Sequence, residues 1–111
     1  MPPADMTEFR IYSTAFEWDP EKADRNAAKH GIRFAEAATV FLDVDALDHP
    51  DPKHSKDEPR AVRLGRAATG LVLVVAYTRR SRPDGESIRI ISARLASRLE
   101  RAAYGASDRL L

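Results

Sequence analysis

The stretch RAVRLGRAATGLVLVVAYTRRSRPDGESIRIIS, residues 60–92, decides the fold. Its centre, LVLVVAYT at 71–78, is an unbroken run of eight mostly apolar, β-branched-rich residues. That length and content predict a central strand covered on both faces. RAVRLGRA predicts a strand at about 60–67, ATG its turn, SRPDGES a hairpin loop and IRIIS a further strand. Such short connections between consecutive strands imply antiparallel pairing.

Working outward, HPDPKHSKDEP is a loop punctuated by Pro50, Pro52 and Pro59, preceded by an extended VDALD. In FAEAATVFL, the residues Phe34, Ala37, Ala38 and Phe41 fall at i, i+3, i+4 and i+7, which predicts a helix over about 34–42. WDPEKADRNAAKHG predicts another over about 20–30: Asp19 is the N-cap, Pro20 the first helical residue, Glu21 suits the dipole and Gly31 is the stop. FEW, at 16–18, reads as an edge strand, with Trp18 and Phe41 in the core. MPPADMT, residues 1–7, reads as a loose terminus. A last helix is expected from near Arg94, with Leu95, Leu99 and Ala102 on one face. The sum is a single α+β domain over 1–111, a small curved antiparallel sheet with two N-terminal-side helices and a C-terminal helix.

Composition narrows the function. The chain has 111 residues, 43% hydrophobic and 32% charged, a folded and soluble profile. It shows no bilayer-length apolar run and no secretory signal, which fits the cytoplasm. With no cysteine, disulfides and thiolate metal sites are excluded. The net charge of +1 hides an asymmetry: residues 1–58 sum to −6 and residues 59–111 to +7, the latter with arginine and no lysine. Either the halves neutralise each other in the fold, or the second half builds a basic surface for an anion. Guanidinium forks suit phosphates and flat bases.

Side chains alternate along a strand, so Arg63 opposes Val62 and Leu64, and Arg89 opposes Ile88, Ile90 and Ser92. If helices cover one sheet face, the other becomes a shallow groove lined by arginines from several strands. The plainer reading is solvated arginines whose stems cover apolar surface. His49, Asp51, His54 and Glu58 crowd one loop. They read first as a solvated acidic loop, then as acid–base groups in His54 or Glu58, and last as a metal site, because HxxxxH is not a specific ligand spacing. There is no G-x-G-x-x-G, P-loop, G-x-S-x-G or HExxH, so nucleotide cofactors and serine-type acyl transfer have no support.

Three separated blocks, FEWDPEKADRNAAKHGIRFAEAATVF, HSKDEPRAVRLG and IRIISARLASRLERAAY, resemble the BrnT toxins, from about Phe16 to Tyr104. These are the ribonuclease half of type II toxin–antitoxin pairs with BrnA. The agreement is one of order and spacing: W-D-x-x-K-x-x-x-N-x-x-K-H-G, then H-S-x-x-E-x-R with a following G, then R-I-I-S-A-R with a later E-R-x-x-Y. The resemblance implies a RelE-like fold and an endoribonuclease that limits growth by cutting mRNA. It also implies a BrnA-like antitoxin with a DNA-binding domain as partner, and neither cofactor nor metal.

In such chemistry the RNA 2′-hydroxyl attacks the adjacent phosphorus. A base, an acid and positive charge on the phosphate help, and positioned acid–base groups give about 10²–10⁴-fold each. Arg63, Arg79 and Arg94 are the expected phosphate binders, with Arg60, Arg80 and Arg89 as further contacts. Arg94 would stand at the hinge between the last strand and the last helix. Lys29 and His30 match the K-H-G block, or else cap their helix by charge. His54 or Glu58 is the expected base, and Tyr104 would stack on a base or orient a phosphate. Glu100 and Arg101 form either a surface ion pair or part of the site. The competing readings are a nucleic-acid- or protein-binding module using the same arginines without catalysis, and a toxin fold that has lost activity.

Overall fold

The computed structural model describes residues 5–109. The loose terminus expected over 1–7 lies mostly outside them, and Thr7 already belongs to the first strand. The elements are β1 (Thr7–Ile11), β2 (Thr14–Trp18), α1 (Pro20–His30), α2 (Phe34–Ala38), β3 (Leu47–Pro50), β4 (Arg60–Arg66), β5 (Val72–Arg82), β6 (Gly85–Leu95) and α3 (Arg98–Arg109). Six strands form one sheet in the order β1-β2-β6-β5-β4-β3. No described helix is long and apolar enough to cross a membrane.

The architecture is α+β, as expected, but the sheet is mixed rather than antiparallel. β2 pairs parallel with β6, Phe16 standing beside Ile88. The antiparallel rule holds for consecutive strands joined by short turns; β2 and β6 are far apart in sequence and escape it. FEW is accordingly not an edge strand, since β2 lies between β1 and β6.

α1 matches its signals. The Asp19 carboxylate accepts the Glu21 N–H at 2.9 Å, and Gly31, at φ +71°, closes the helix with its N–H on the Ala27 carbonyl. The second helix is shorter than expected: after Ala38 it tightens into a 3₁₀ turn over Thr39–Leu42. There the Thr39 hydroxyl donates to the Glu36 carbonyl at 2.6 Å, a local bond that competes with the α ladder. β5 and β6 run further than expected, so only Pro83 and Asp84 are left as the turn of SRPDGES. α3 begins at Arg98, and β6 continues through Arg94 to Leu95. Ser97 and Glu100 explain the late start: the Glu100 N–H donates to Ser97 Oγ at 3.1 Å, and the Ser97 N–H donates to Glu100 Oε1 at 2.8 Å. This is a capping box, legible in S-R-L-E but overlooked beside the apolar period.

One face of the sheet is covered by α1, α2 and the 3₁₀ turn. Phe16, Trp18, Phe34, Val40, Leu73, Val75, Tyr77, Ile88, Ile90 and Ala93 pack there as the main core. α3 crosses one end of the opposite face, where Leu64, Val72, Ala96 and Tyr104 make a smaller cluster. Gly65 lets the covering turn approach β4: a Cβ there would stand 3.1 Å from Ala46 Cβ and 3.3 Å from Val40 Cβ.

A bulge in β6 decides what the open face presents. Ala76 pairs with Ser92 but Tyr77 pairs with Ile90, which leaves Ile91 as an extra residue. Strict alternation would put Ser92 and Arg94 on the covered face with Ile88 and Ile90. The bulge resets the parity, sending Ala93 into the core and turning Ser92 and Arg94 to the open side.

Candidate active site

Between the open face of β3–β6 and α3 lies a cavity of about 690 Å³. Val62, Leu64, Val74 and Ala76 form an apolar floor, with Leu99 and Ala103 of α3 as a wall. Its polar lining is His30, His49, Asp51, His54, Ser92, Arg94 and Glu100. The chain has three histidines, and all of them line this one cavity.

Each is delivered by a different element. His30 ends α1, which Asn26 docks on the sheet. The Asn26 carboxamide donates to the Ala93 carbonyl at 2.8 Å and to the Ile32 carbonyl at 3.0 Å, and accepts the Ala93 N–H at 3.0 Å. One buried side chain thereby acts as a strand neighbour to β6 just past its bulge. His49 stands on β3, paired with Val62. His54 ends a 3₁₀ turn over Pro52–His54, and its Nδ1 lies 2.9 Å from Asp51 Oδ2. Ser55 ties that turn to β4, donating to the Asp51 carbonyl at 2.7 Å and accepting the Arg60 N–H at 2.9 Å.

Arg94 reaches the cavity from β6 and is held in a fork by Glu100, at 2.7 and 2.9 Å. Those hydrogen bonds, with the Ser97 N–H, outweigh burial and hold the Glu100 carboxyl at about 2. Of the two readings left open for Glu100 and Arg101, the mutual ion pair does not form: Glu100 binds Arg94, and Arg101 donates to the Ala96 carbonyl at 3.0 Å.

Of the residues expected to act on RNA, the cavity gathers His30, His54 and Arg94, and Glu100, for which the sequence left a place in the site open, lines it with them. The others stand elsewhere, each with a physical reason. Arg63 faces the covered side, donating to Asp48 at 2.9 and 2.8 Å with its guanidinium 4.4 Å from the Phe41 ring centre. Arg79 is exposed on that same side, beside Glu86 at 3.3 Å and over Tyr77. Tyr104 is buried and its phenol donates to Asp43 at 2.7 Å; burial and that carboxylate both push its pKa up, so it stays neutral. Glu58 accepts from Arg80 at 2.7 Å. Arg89 binds Glu17, as does Arg82. Arg60 lines a separate groove of about 520 Å³ at the β3 edge, which shares His49 with the cavity. Lys29 is exposed on α1 and lines a shallow groove of about 220 Å³.

From sequence His49 and Asp51 read first as part of a solvated acidic loop and last as metal ligands, and Ser92 not at all as a site residue. The loop quartet does not gather round one point, since Glu58 turns to Arg80. Among the described residues no three His, Asp or Glu side chains converge as a metal site would require. Spacing within the loop carried no sign that β4 would set His49 and His54 across from His30 and Arg94.

A cleft with three imidazoles, one buttressed by a carboxylate, a guanidinium and an apolar floor suits a small protein that acts on a phosphate-bearing substrate. Family comparison agrees. Residues 18–100 match the family model described as ribonuclease toxin, BrnT, of type II toxin-antitoxin system. The chain belongs to this BrnT family, as its three sequence blocks suggested. Its structure is similar to that of the Brucella abortus ribonuclease toxin BrnT, solved at 1.1 Å, with a TM-score of 0.56 and 26% identity. The match covers 73% of this chain and 94% of that one. No curated protein matches the sequence.

Proposed function

We propose that this BrnT protein is an endoribonuclease whose reaction takes place in the His30–His49–His54–Arg94 cavity. The observation that carries the proposal is the convergence of all three histidines and Arg94 on one cleft with an apolar floor. The floor suits a ribose or base face, and the rim suits the phosphate.

His54 is the best-placed base. With Nδ1–H donated to Asp51, its Nε2 is free to accept the 2′-hydroxyl proton. The 2′-oxygen then bonds to phosphorus, and the bond from phosphorus to the 5′-oxygen breaks. The leaving oxygen takes a proton from a second, protonated imidazole, His30 or His49. Products are a 2′,3′-cyclic phosphate and a free 5′-hydroxyl, with no step needing a metal. Arg94 neutralises charge on the crowded phosphate, and Glu100 must yield to that phosphate for it to do so. We group this chemistry with the RelE-like ribonucleases, and assign the protein a BrnA-like antitoxin partner and an mRNA substrate in the cytoplasm.

Purified protein incubated with RNA in EDTA tests the reading. Cleavage leaves 2′,3′-cyclic phosphate ends and falls about 10²–10³-fold in His54→Ala and in Arg94→Ala. RNA binding without cleavage by the wild-type protein overturns it in favour of a non-catalytic binding module.

A further inference from the structure

Pairing separates the cations of this protein more sharply than their number does. On the sheet, Arg63, Arg79, Arg80, Arg82, Arg89 and Arg94 each meet a carboxylate within 4 Å. On α1, by contrast, Lys22, Arg25 and Lys29 are exposed, and no described carboxylate stands within ion-pair distance of any of them. They recur at i, i+3 and i+7, so they share one face of the helix within an arc of about 60°. Asp24 falls on the opposite side by the same spacing, and Glu21 flanks Arg25 one turn earlier.

These three cations border the shallow groove of about 220 Å³ between α1 and the bulged part of β6. That groove adjoins the cleft: His30 and Ser92 line both. Asn26 sits beneath it, fixing the helix to Ala93 and therefore the cations relative to His30. Lys22 and Lys29 lie about 10 Å apart along the axis, room for more than one backbone phosphate. Residues 1–58, acidic on balance, thus supply positive charge beside the cleft that no described carboxylate neutralises, while their own Glu17, Asp48 and Glu58 pair with four arginines of the basic half.

We infer that the Lys22–Arg25–Lys29 face of α1 is a phosphate track that holds the RNA segment flanking the bond in the cleft. This deepens the ribonuclease reading, on which it rests, by assigning a substrate of several nucleotides and the side on which its flank leaves. The track reads backbone charge and not base identity, so it adds affinity without sequence preference.

The test uses fluorescence anisotropy with a labelled 2′-O-methyl RNA 12-mer, which cannot be cut, and a labelled trinucleotide. In Lys22→Ala/Arg25→Ala the 12-mer binds about tenfold more weakly at moderate salt, and its slope of log K against log salt becomes shallower by about 1.4 (0.7 per lost phosphate contact). Trinucleotide affinity moves less than twofold. An unchanged 12-mer affinity and salt slope overturn the inference, including the outcome in which the variant loses only an acidic protein partner. Equal losses for both lengths also overturn it, because the cations would then act on the cleft itself. Cleavage of unmodified 12-mer, measured in parallel, reports separately on the ribonuclease reading.

Discussion

The open face of the sheet carries two clusters of charge that look alike in sequence and differ in what they are free to do. At one end, Glu17 is wholly buried and receives Arg82 and Arg89, while Arg80 holds Glu58. Burial alone would raise the Glu17 pKa; the hydrogen bonds from Arg82 and Arg89 reverse that and hold it at about 2. At the other end, the cavity joins three imidazoles to a guanidinium on an apolar floor. The first cluster consumes its arginines in mutual satisfaction. The second leaves nitrogen atoms facing open volume. Charge sign therefore predicts little about a site, whereas partnership and space predict much.

Breaking the first cluster should unfold the protein rather than disable it. Glu17→Ala leaves two guanidiniums without their carboxylate, and chemical denaturation should show a loss of about 3–5 kcal/mol. The folded variant's rate of RNA cleavage should change less than twofold. The same carboxylate sets an acid limit. Its folded pKa lies below that of an unfolded glutamate, about 4.3, so its contribution is complete above that pH and lost as pH falls towards 2.

Within the second cluster the effects should reverse, touching rate and not stability. Asp51→Asn keeps the shape of the His54 pair but removes the charge that fixes the ring. Cleavage kinetics should show kcat down about tenfold, roughly 1.4 kcal/mol, with the thermal midpoint unmoved. The smallest effect should be a gain. Glu100→Gln preserves a capping-box acceptor for the Ser97 N–H while releasing Arg94 from its carboxylate. RNA affinity should rise about threefold at a stability change within about 0.5 kcal/mol. A weaker RNA complex in that variant would mean that Glu100 aims Arg94 rather than occupying it.

Much of the fold was legible locally. Asp19, Pro20 and Gly31 bounded α1 to the residue, because caps and stops act through neighbouring backbone groups. The apolar run at 71–78 announced a central strand because burial on both faces leaves no polar alternation. Ser97 and Glu100 carried an equally local signal that the apolar spacing of Leu95 and Leu99 masked.

The site was legible only in part. His30, His54 and Arg94 stand out as chemistry-bearing residues in recognisable blocks, and the fold brings them together. Arg63 was expected to bind phosphate as Arg94 does, and Arg89 to add a further contact, yet Asp48 of the neighbouring β3 claims the first and Glu17, 72 residues away, the second. No spacing rule announces such partners.

The sequence by itself determined the ends of α1, the central strand and its hairpin partners, the family and the supply of imidazole and guanidinium. Tertiary structure decided three other things: the parallel β2–β6 pairing, which arginines are neutralised, and the side to which Arg94 points. The last turns on a single extra residue, Ile91. Alternation along a strand is a local rule, but where it slips is settled by the partner strand's register and by Asn26 docking a helix against Ala93. Local periodicity carries no information about that contact, because the groups that make it are 67 residues apart.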